Sequence, residues 1–393
     1  MSQLKAIPLY RLDLAGNEIR YMEQALECGK ISGDGPFTRR CEALLERQLG
    51  ASKVLLATSC TQALEMAAFL LNIRSGDEVI VPSFTFPSTA NAFVVRGATP
   101  VFADVRPDTL NLDETRLEPL ITPATKAIVV VHYAGIPCEM EAILKIGARY
   151  NIPVIEDNAL GLYGKYRGRF LGTIGSIGCL SFHQTKSFVC GEGGAVCLND
   201  PLFNNRAEIL REKGTDRRKF ARGEVDKYTW VDVGSSYVPS DLLAAFLYAQ
   251  LESCSDTLSR RRRVWDYYNH ELSAWAVESG AKLPYVPPGC EPAYSMFHML
   301  LPSAKVLEGL LQRLNRNNIA ATFHYQPLHL SPMARSFGAR PGDCPVAEDI
   351  SGRLLRLPFF TSLSEGEQAE VVRVVEAFRP ARAVSGMARV GRA

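Results

Sequence analysis

Ser181-Phe-His-Gln-Thr-Lys186, followed closely by Gly191-Glu-Gly-Gly194, is the stretch whose reading decides this chain. It reads as the end of an apolar strand that delivers one lysine into a site, then a turn built on glycines. Burial disfavours an ammonium group, lowers its pKa and leaves a nucleophilic amine. Such an amine suits Schiff-base chemistry. A lone lysine after a strand is more often a plain surface residue, so the case rests on what the rest of the chain sets beside it.

The chain has 393 residues, long enough for two or three packed units with ample core. Apolar residues make up 47% and charged residues 22%, the composition of an ordinary globular protein. A formal net charge of +2 gives no strong pull toward nucleic acid or a membrane surface. No apolar run approaches the roughly 20 residues of a membrane span. Met1–Ala6 shows no apolar core of a secretory signal. The ten cysteines contain no C-x-x-C pair, and Cys179 and Cys197 lie in apolar strand patterns as small core residues. This suits a reducing cytoplasm, and the six scattered histidines argue against zinc or another metal.

The first 50 residues read as an irregular arm and a helix, with Ile31-Ser-Gly-Asp-Gly-Pro36 as a turn and Thr38 as a helix cap. The Gly-Asp-Gly could cradle a phosphate, although such turns are commonly only turns. Strand and helix then alternate: strands Lys53–Ala57, Glu78–Val81, Pro100–Ala103, Ala127–Val131 and Val154–Asp157, with helices from Ser59, after Pro87 and over Glu139–Tyr150. This is the period of βαβ units and a parallel sheet covered on both faces. Ligands of such sheets sit beyond the carboxyl ends of the strands. Ser59–Thr61, Asp157 and Ser181–Lys186 all fall at strand ends. Residues 201–238 are loop-rich and basic, and long helices run from Ser240 through Leu272, with Arg260–Arg263 as a solvated face. From about 280 an α+β unit has strands Tyr294–Leu301 and Ala320–His324 and helices Ala304–Asn315 and Glu365–Phe378. The expected organisation is an N-terminal arm and large domain over 1–255, a smaller α+β domain over 256–379, and a disordered tail over 380–393.

Asp157 ends a buried apolar strand, where an isolated carboxylate is costly without a cationic partner. A protonated pyridine nitrogen is such a partner, and its protonation makes the ring an electron sink. Ser59, Cys60 and Thr61 open a helix after a strand, where backbone N–H groups and hydroxyls suit a phosphate dianion. Ser181 could add a hydroxyl to the same phosphate, and Phe86 could stack on a flat ring. Each signal alone has a plainer structural meaning as a helix cap, a turn or a core aromatic. Their shared placement at strand ends describes a pyridoxal-phosphate (PLP) site.

The chain resembles the DegT/StrS family of PLP-dependent nucleotide-sugar aminotransferases over about residues 5–378. The matching text in the first half is Gly33-Asp-Gly-Pro-Phe-Thr38, Asp77–Phe86, Val131-His-Tyr-Ala-Gly135 and Ile155-Glu-Asp157. It continues in Ser181–Lys186, Gly191–Gly194, Asp226-Lys-Tyr-Thr-Trp230 and Gly234-Ser-Ser-Tyr237. The last matches are Phe323-His-Tyr-Gln-Pro-Leu-His329 and Leu354-Leu-Arg-Leu-Pro358. The Asp226–Trp230 and Gly234–Tyr237 segments are similar to those of the subgroup that aminates dTDP-4-keto-6-deoxy sugars to dTDP-4-amino-4,6-dideoxygalactose.

The resemblance implies a type I PLP-transferase fold, with a mostly parallel seven-stranded sheet and a smaller C-terminal α+β domain. It implies a homodimer with shared active sites. Lys186 is then the lysine that links to the cofactor and shuttles protons, and Asp157 is the pyridine-nitrogen partner. Cys60, Thr61 and Ser181 bind the phosphate, and Phe86 stacks on the ring. Ser236 falls where many members carry an Asn that reaches the phosphate from the other subunit. Lys213, Lys227, Tyr228, His324 and His329 are candidates for the nucleotide-sugar route, with a solvated basic loop the equal alternative for the first group. Leu160 departs from the pattern, since members usually carry Gln or His there beside the ring. Sugar dehydratases of the family replace the lysine by His, so Lys186 disfavours that branch. The implied reaction takes an amino group from L-glutamate to dTDP-4-keto-6-deoxy-D-glucose. Another nucleotide keto-sugar is the first alternative, and a catalytically weak PLP-binding regulator, supported by Leu160 alone, is the second.

Overall fold

The computed structural model describes residues 6–379, so the expectation of a disordered tail over 380–393 lies outside the described residues, as does most of the N-terminal Met1–Ala6. Seven strands form the central sheet: β1 Lys53–Ala57, β2 Glu78–Pro82, β3 Thr99–Ala103, β4 Thr125–Val131, β5 Val154–Asn158, β6 Ile177–Ser181 and β7 Gly194–Leu198. Their order is β1-β7-β6-β5-β4-β2-β3. Only β7 runs antiparallel to its neighbours β1 and β6; the other pairs are parallel.

The apolar runs are continuous because both faces of the sheet are covered. Leu55, Val79, Val129, Ile155, Cys179 and Val196 point to one side, where they pack on α3 (Cys60–Leu70) and α4 (Ser88–Val94) among others. The alternating residues point to the other. Val54, Leu56 and Cys197 meet α2 (Pro36–Leu49), while Ile128, Val130 and Val154 meet α5 (Met140–Tyr150).

The amino-terminal 50 residues hold two helices rather than one, α1 over Glu18–Glu27 and α2. Both rest on α7 (Asp241–Glu252), which follows the short α6 (Asn204–Arg211). The start of α2 corrects two expectations. Gly35, not Thr38, holds the cap position. The buried carboxylate of Asp241 accepts hydrogen bonds from the backbone N–H groups of Phe37 (3.1 Å) and Thr38 (2.7 Å). A Cβ on Gly35 would lie 2.3 Å from that carboxyl carbon. The Gly-Asp-Gly turn therefore already cradles an anion, the chain's own, and has no room for a phosphate.

Beyond α7 a second core forms around α8 (Cys254–Ser279), α9 (Ala304–Arg316) and α10 (Glu365–Glu376), with Tyr268, Trp275, Phe297, Leu310 and Val371 at its centre. The expected strand Tyr294–Leu301 shrinks to β8 (His298–Leu300), antiparallel to β9 (Leu354–Arg356). Residues 320–324 make only the single bridge Thr322–Arg356. We propose to keep the division between large and small units near residue 255, where α7 gives way to α8.

Arg260–Arg263 is not wholly a solvated face. Arg261 shares the inward stripe of Val264 and Tyr268 and is buried, donating to the carbonyls of Tyr294 (2.9 Å) and Ser295 (2.8 Å). Among the described residues no helix is long and apolar enough to cross a membrane.

Candidate active site

The carboxyl ends of β5 and β6, the amino end of α3 and the loop before β9 converge on one cavity of about 900 Å³. Asp157 enters from β5 and Ser181 from the last position of β6. The hairpin joining β6 to β7 carries Lys186. It is closed by the N–H of Phe182 to the carbonyl of Gly193 (2.8 Å), Gln184 to Gly191 (2.9 Å) and Cys190 to Phe182 (2.9 Å), with Gly191 in the left-handed region at φ +87°. A tight turn, Lys186 N–H to the His183 carbonyl at 2.9 Å, aims the lysine back at the strand ends.

α3 begins at the cavity wall. Ser59 caps it by accepting from the Gln62 N–H at 3.1 Å, which leaves the N–H groups of Cys60 and Thr61 at the positive end of the helix dipole. The Thr61 hydroxyl donates to Ser88 Oγ at 2.8 Å. β7 runs hard against this end: a Cβ on Gly194 would lie 2.3 Å from the Ser59 carbonyl carbon and 2.5 Å from the Cys60 nitrogen. The glycine that looked like turn punctuation is needed for that approach.

Asp157 is 5% exposed. Its Oδ2 accepts from the Thr89 hydroxyl at 2.7 Å and its Oδ1 from the Ala159 N–H at 3.2 Å, with Cys60 Sγ at 3.9 Å. Burial pushes its pKa up, against the Thr89 hydrogen bond and the nearby charge of Lys186, which pull it down. Burial likewise holds Lys186 below the usual lysine range, Cys60 and Asp157 oppose this, and the charge of Arg356 reinforces it.

The structure brings together Cys60, Thr61, Phe86, Asp157, Leu160, Ser181, Lys186 and His324 as lining of the one cavity. Phe86 stands out into it, 57% exposed. Leu160 packs its side chain against the cluster of Phe84, Tyr133 and Met296. Ser236, Lys213, Lys227 and Tyr228 are exposed and lie outside the cavity of the single chain. His329 is a correction. It is fully buried, with Nδ1 at 2.5 Å from Ser83 Oγ and Nε2 at 2.9 Å from Glu348 Oε1, so both ring nitrogens are engaged and neither faces the cavity. It ties the 323–331 loop to the end of β2.

Three residues beyond the sequence candidates belong to this neighbourhood: Thr89, bonded to Asp157, and Tyr325 and Arg356, which line the cavity and fall within the matching segments Phe323–His329 and Leu354–Pro358. Tyr325 stacks on His324 with ring centroids 3.9 Å apart.

A family model described as the DegT/DnrJ/EryC1/StrS aminotransferase family matches residues 13–376. The chain belongs to the DegT/DnrJ/EryC1/StrS aminotransferase family. It is 32% identical over 377 residues to the GDP-perosamine synthase of Escherichia coli O157:H7, covering 95% of this chain and 99% of that protein. It is 32% identical over 375 residues to the spore coat polysaccharide biosynthesis protein SpsC of Bacillus subtilis strain 168, covering 93% and 95%. Among solved structures, an aminotransferase, TlmJ, from Streptoalloteichus hindustanus superposes with TM-score 0.86 at 31% identity over 95% of this chain and 98% of that one. Homologous structures are known in PLP and PMP forms. The α/β fold with its mostly parallel sheet is that of a type I PLP-dependent transferase, and the chain is a PLP-dependent sugar aminotransferase.

The residues present fit that cofactor. Asp157 is a buried carboxylate without an ion-pair partner within 4 Å among the described residues, and it opens on the cavity that Lys186 also lines. The amino end of α3, with Thr61 and the Ser181 hydroxyl nearby, is an anion site that no side chain of the described residues fills.

Proposed function

We propose that this aminotransferase moves an amino group from L-glutamate to the 4-keto carbon of dTDP-4-keto-6-deoxy-D-glucose, giving dTDP-4-amino-4,6-dideoxy-D-galactose. The observation that carries the reaction class is the convergence of Lys186, Asp157 and the α3 amino end on one cavity. The choice of sugar is supported by the Asp226–Trp230 and Gly234–Tyr237 segments and rests on resemblance.

Bound PLP supplies an electron sink and a carrier for the amino group. The Asp157 carboxylate, oriented by the Thr89 hydroxyl, would hold a proton on the pyridine nitrogen. The N–H groups of Cys60 and Thr61, with the hydroxyls of Thr61 and Ser181, would hold the phosphate. Phe86 would cover the ring. The Lys186 amine, neutral more readily because it is buried, takes the proton from the α-carbon of the amino donor and returns it on the other side of the transfer. In the second half it works in reverse on the sugar carbon. His324, at the cavity wall, faces the sugar.

A homodimer fits the exposed placement of Ser236, Lys213, Lys227 and Tyr228, which then serve the cavity of a second copy. Trp230, 76% exposed, and Val231, 51% exposed, give that face an apolar surface to cover.

The test is an absorbance titration of the PLP-loaded protein. L-glutamate should bleach the band of the lysine–cofactor linkage, and dTDP-4-keto-6-deoxyglucose should restore it. The 32% identity to a GDP-perosamine synthase favours a GDP-linked keto sugar as the second reading. If only the GDP sugar restores the band, that reading replaces the first. If glutamate leaves the band unchanged, glutamate is not the donor.

A further inference from the structure

Arg356 closes β9 and its side chain lines the cavity that holds Lys186 and Asp157. Arg356 is half-buried, and it differs from the other arginines packed into the protein near acids or carbonyls. Arg211 pairs with Asp34 and Glu42, Arg218 with Asp34, Glu42 and Glu208, and Arg261 rests on two carbonyls. Arg356 has none among the described residues. Its one side-chain hydrogen bond runs from Nη1 to His324 Nε2 at 2.5 Å, and its Nε is buried without a partner.

The neighbours of Arg356 leave its positive charge uncompensated. To accept from Arg356, His324 keeps a bare Nε2 and carries its proton on Nδ1, which lies 3.3 Å from the Tyr133 hydroxyl. His324 and His298 are both held neutral by burial, helped by the Arg356 charge, at about 2 and about 3. Tyr133 and Tyr325 are pushed upward by burial and stay protonated. Among the described residues no acid lies within ion-pair distance of Arg356, and a guanidinium with a buried, unpartnered Nε is costly to leave unpaired.

We infer that Arg356 is the binding site for a carboxylate of the amino-acid donor. A planar guanidinium matches a carboxylate bidentately. Arg356 lies close enough to Lys186 for its charge to act on the lysine amine. The donor must bring its own nitrogen to that place, and its carboxylate comes with it. The diphosphate of a nucleotide sugar is the rival anion. It hangs from the sugar carbon across the ring from the 4-keto carbon, so it lies away from Lys186 when that carbon reacts. The inference deepens the transaminase reading and rests on it for the identity of the donor.

The experiment uses the PLP-loaded protein, wild type, Arg356→Gln and Arg356→Lys, with glutarate as an unreactive dicarboxylate and dTDP as the nucleotide probe. Binding is read by calorimetry and by melting temperature. Glutarate should bind at least about tenfold more weakly to Arg356→Gln, with partial recovery in Arg356→Lys, while dTDP binds all three alike. Glutarate should raise the melting temperature of the wild type and not of Arg356→Gln, and without ligand Arg356→Gln should melt no lower than wild type. Equal glutarate affinity in wild type and Arg356→Gln overturns the inference. So does a loss confined to dTDP, which would assign the guanidinium to the diphosphate. A drop in the ligand-free melting temperature overturns it too, since the guanidinium would then serve the fold. If no keto sugar is aminated but glutarate still depends on Arg356, the carboxylate site stands and the sugar reading falls.

Discussion

Replacing Asp157 by Asn removes one negative charge from the floor of the cavity and changes little else. The side chain keeps its shape, and its carbonyl can still accept from the Thr89 hydroxyl, now at 2.7 Å from Oδ2. What is lost is the charge facing the position assigned to the pyridinium, together with the second accepting oxygen, at 3.2 Å from the Ala159 N–H. Truncating one partner of a buried, hydrogen-bonded charge pair costs about 2–5 kcal/mol. The lower end applies here, because Asn still offers an oxygen and the cavity is open at Phe86. A loss of about 2–3 kcal/mol corresponds to about 30- to 150-fold weaker binding of PLP. Thr89→Val, which removes only the orienting hydrogen bond, should cost about 1 kcal/mol, roughly fivefold. The assay is an equilibrium titration of the cofactor-free protein with PLP, followed by absorbance, with circular dichroism to show that the fold is kept. If Asp157→Asn binds PLP within about threefold of wild type, Asp157 does not face the ring nitrogen. If Thr89→Val costs more than Asp157→Asn, the carboxylate serves the strand end and not the ligand.

Two further outcomes follow from the packing. Burial holds His298 at about 3, against an ordinary value near 6.5 in the unfolded chain. The folded value is the depressed one, so between these limits the unfolded chain binds the extra proton and stability falls as pH falls. At pH 5 this amounts to about 2 kcal/mol relative to pH 7. His298→Gln should lose about that much less between pH 7 and 5 in urea unfolding, and parallel acid limbs for the two proteins would exclude the assignment. Gly194→Ala puts a Cβ at 2.3–2.5 Å from the Ser59 and Cys60 backbone and must push β7 off the amino end of α3. It should weaken PLP binding about tenfold and cost about 1–3 kcal/mol of stability, with unchanged affinity counting against the α3 phosphate site.

The central sheet was legible in the sequence because most of its strand positions are buried on both faces and carry short apolar runs, even where β3 is half-buried at the sheet edge. The site positions were legible from where the apolar runs give way: Asp157 follows Val154-Ile155 within β5, and Lys186 lies on the hairpin five residues after β6 ends at Ser181. What stayed hidden is held by contacts between distant parts of the chain. The cap of α2 comes from Asp241, about 200 positions later, and nothing local to Thr38 announces it. One arginine of Arg260–Arg263 turns inward because the second core lies under that face of α8, and a run of four identical charges conceals which one. His329 sits in a segment that looks functional and is spent on Ser83 and Glu348. Arg356 reads as one more charge in a short strand until the absence of any acid around it is visible in three dimensions.

Leu160 weighs little against the rest of the site. Family members with Gln or His at this position can add a neutral hydrogen bond beside the ring, worth about 1 kcal/mol. In this chain Leu160 fills the place with side chain packed on the Phe84, Tyr133 and Met296 cluster, so the position gains apolar burial as it loses a donor. The groups that remain are larger in effect. Asp157 offers a buried charge, α3 offers a helix terminus with two free N–H groups, and Lys186 offers an amine kept nucleophilic by burial. A substitution worth about 1 kcal/mol does not cancel a set whose charged members are each worth about 2 kcal/mol or more. The regulator reading, which has only Leu160 behind it, is therefore the weaker one, and the proposed transaminase site keeps its charged anchors with one less polar wall.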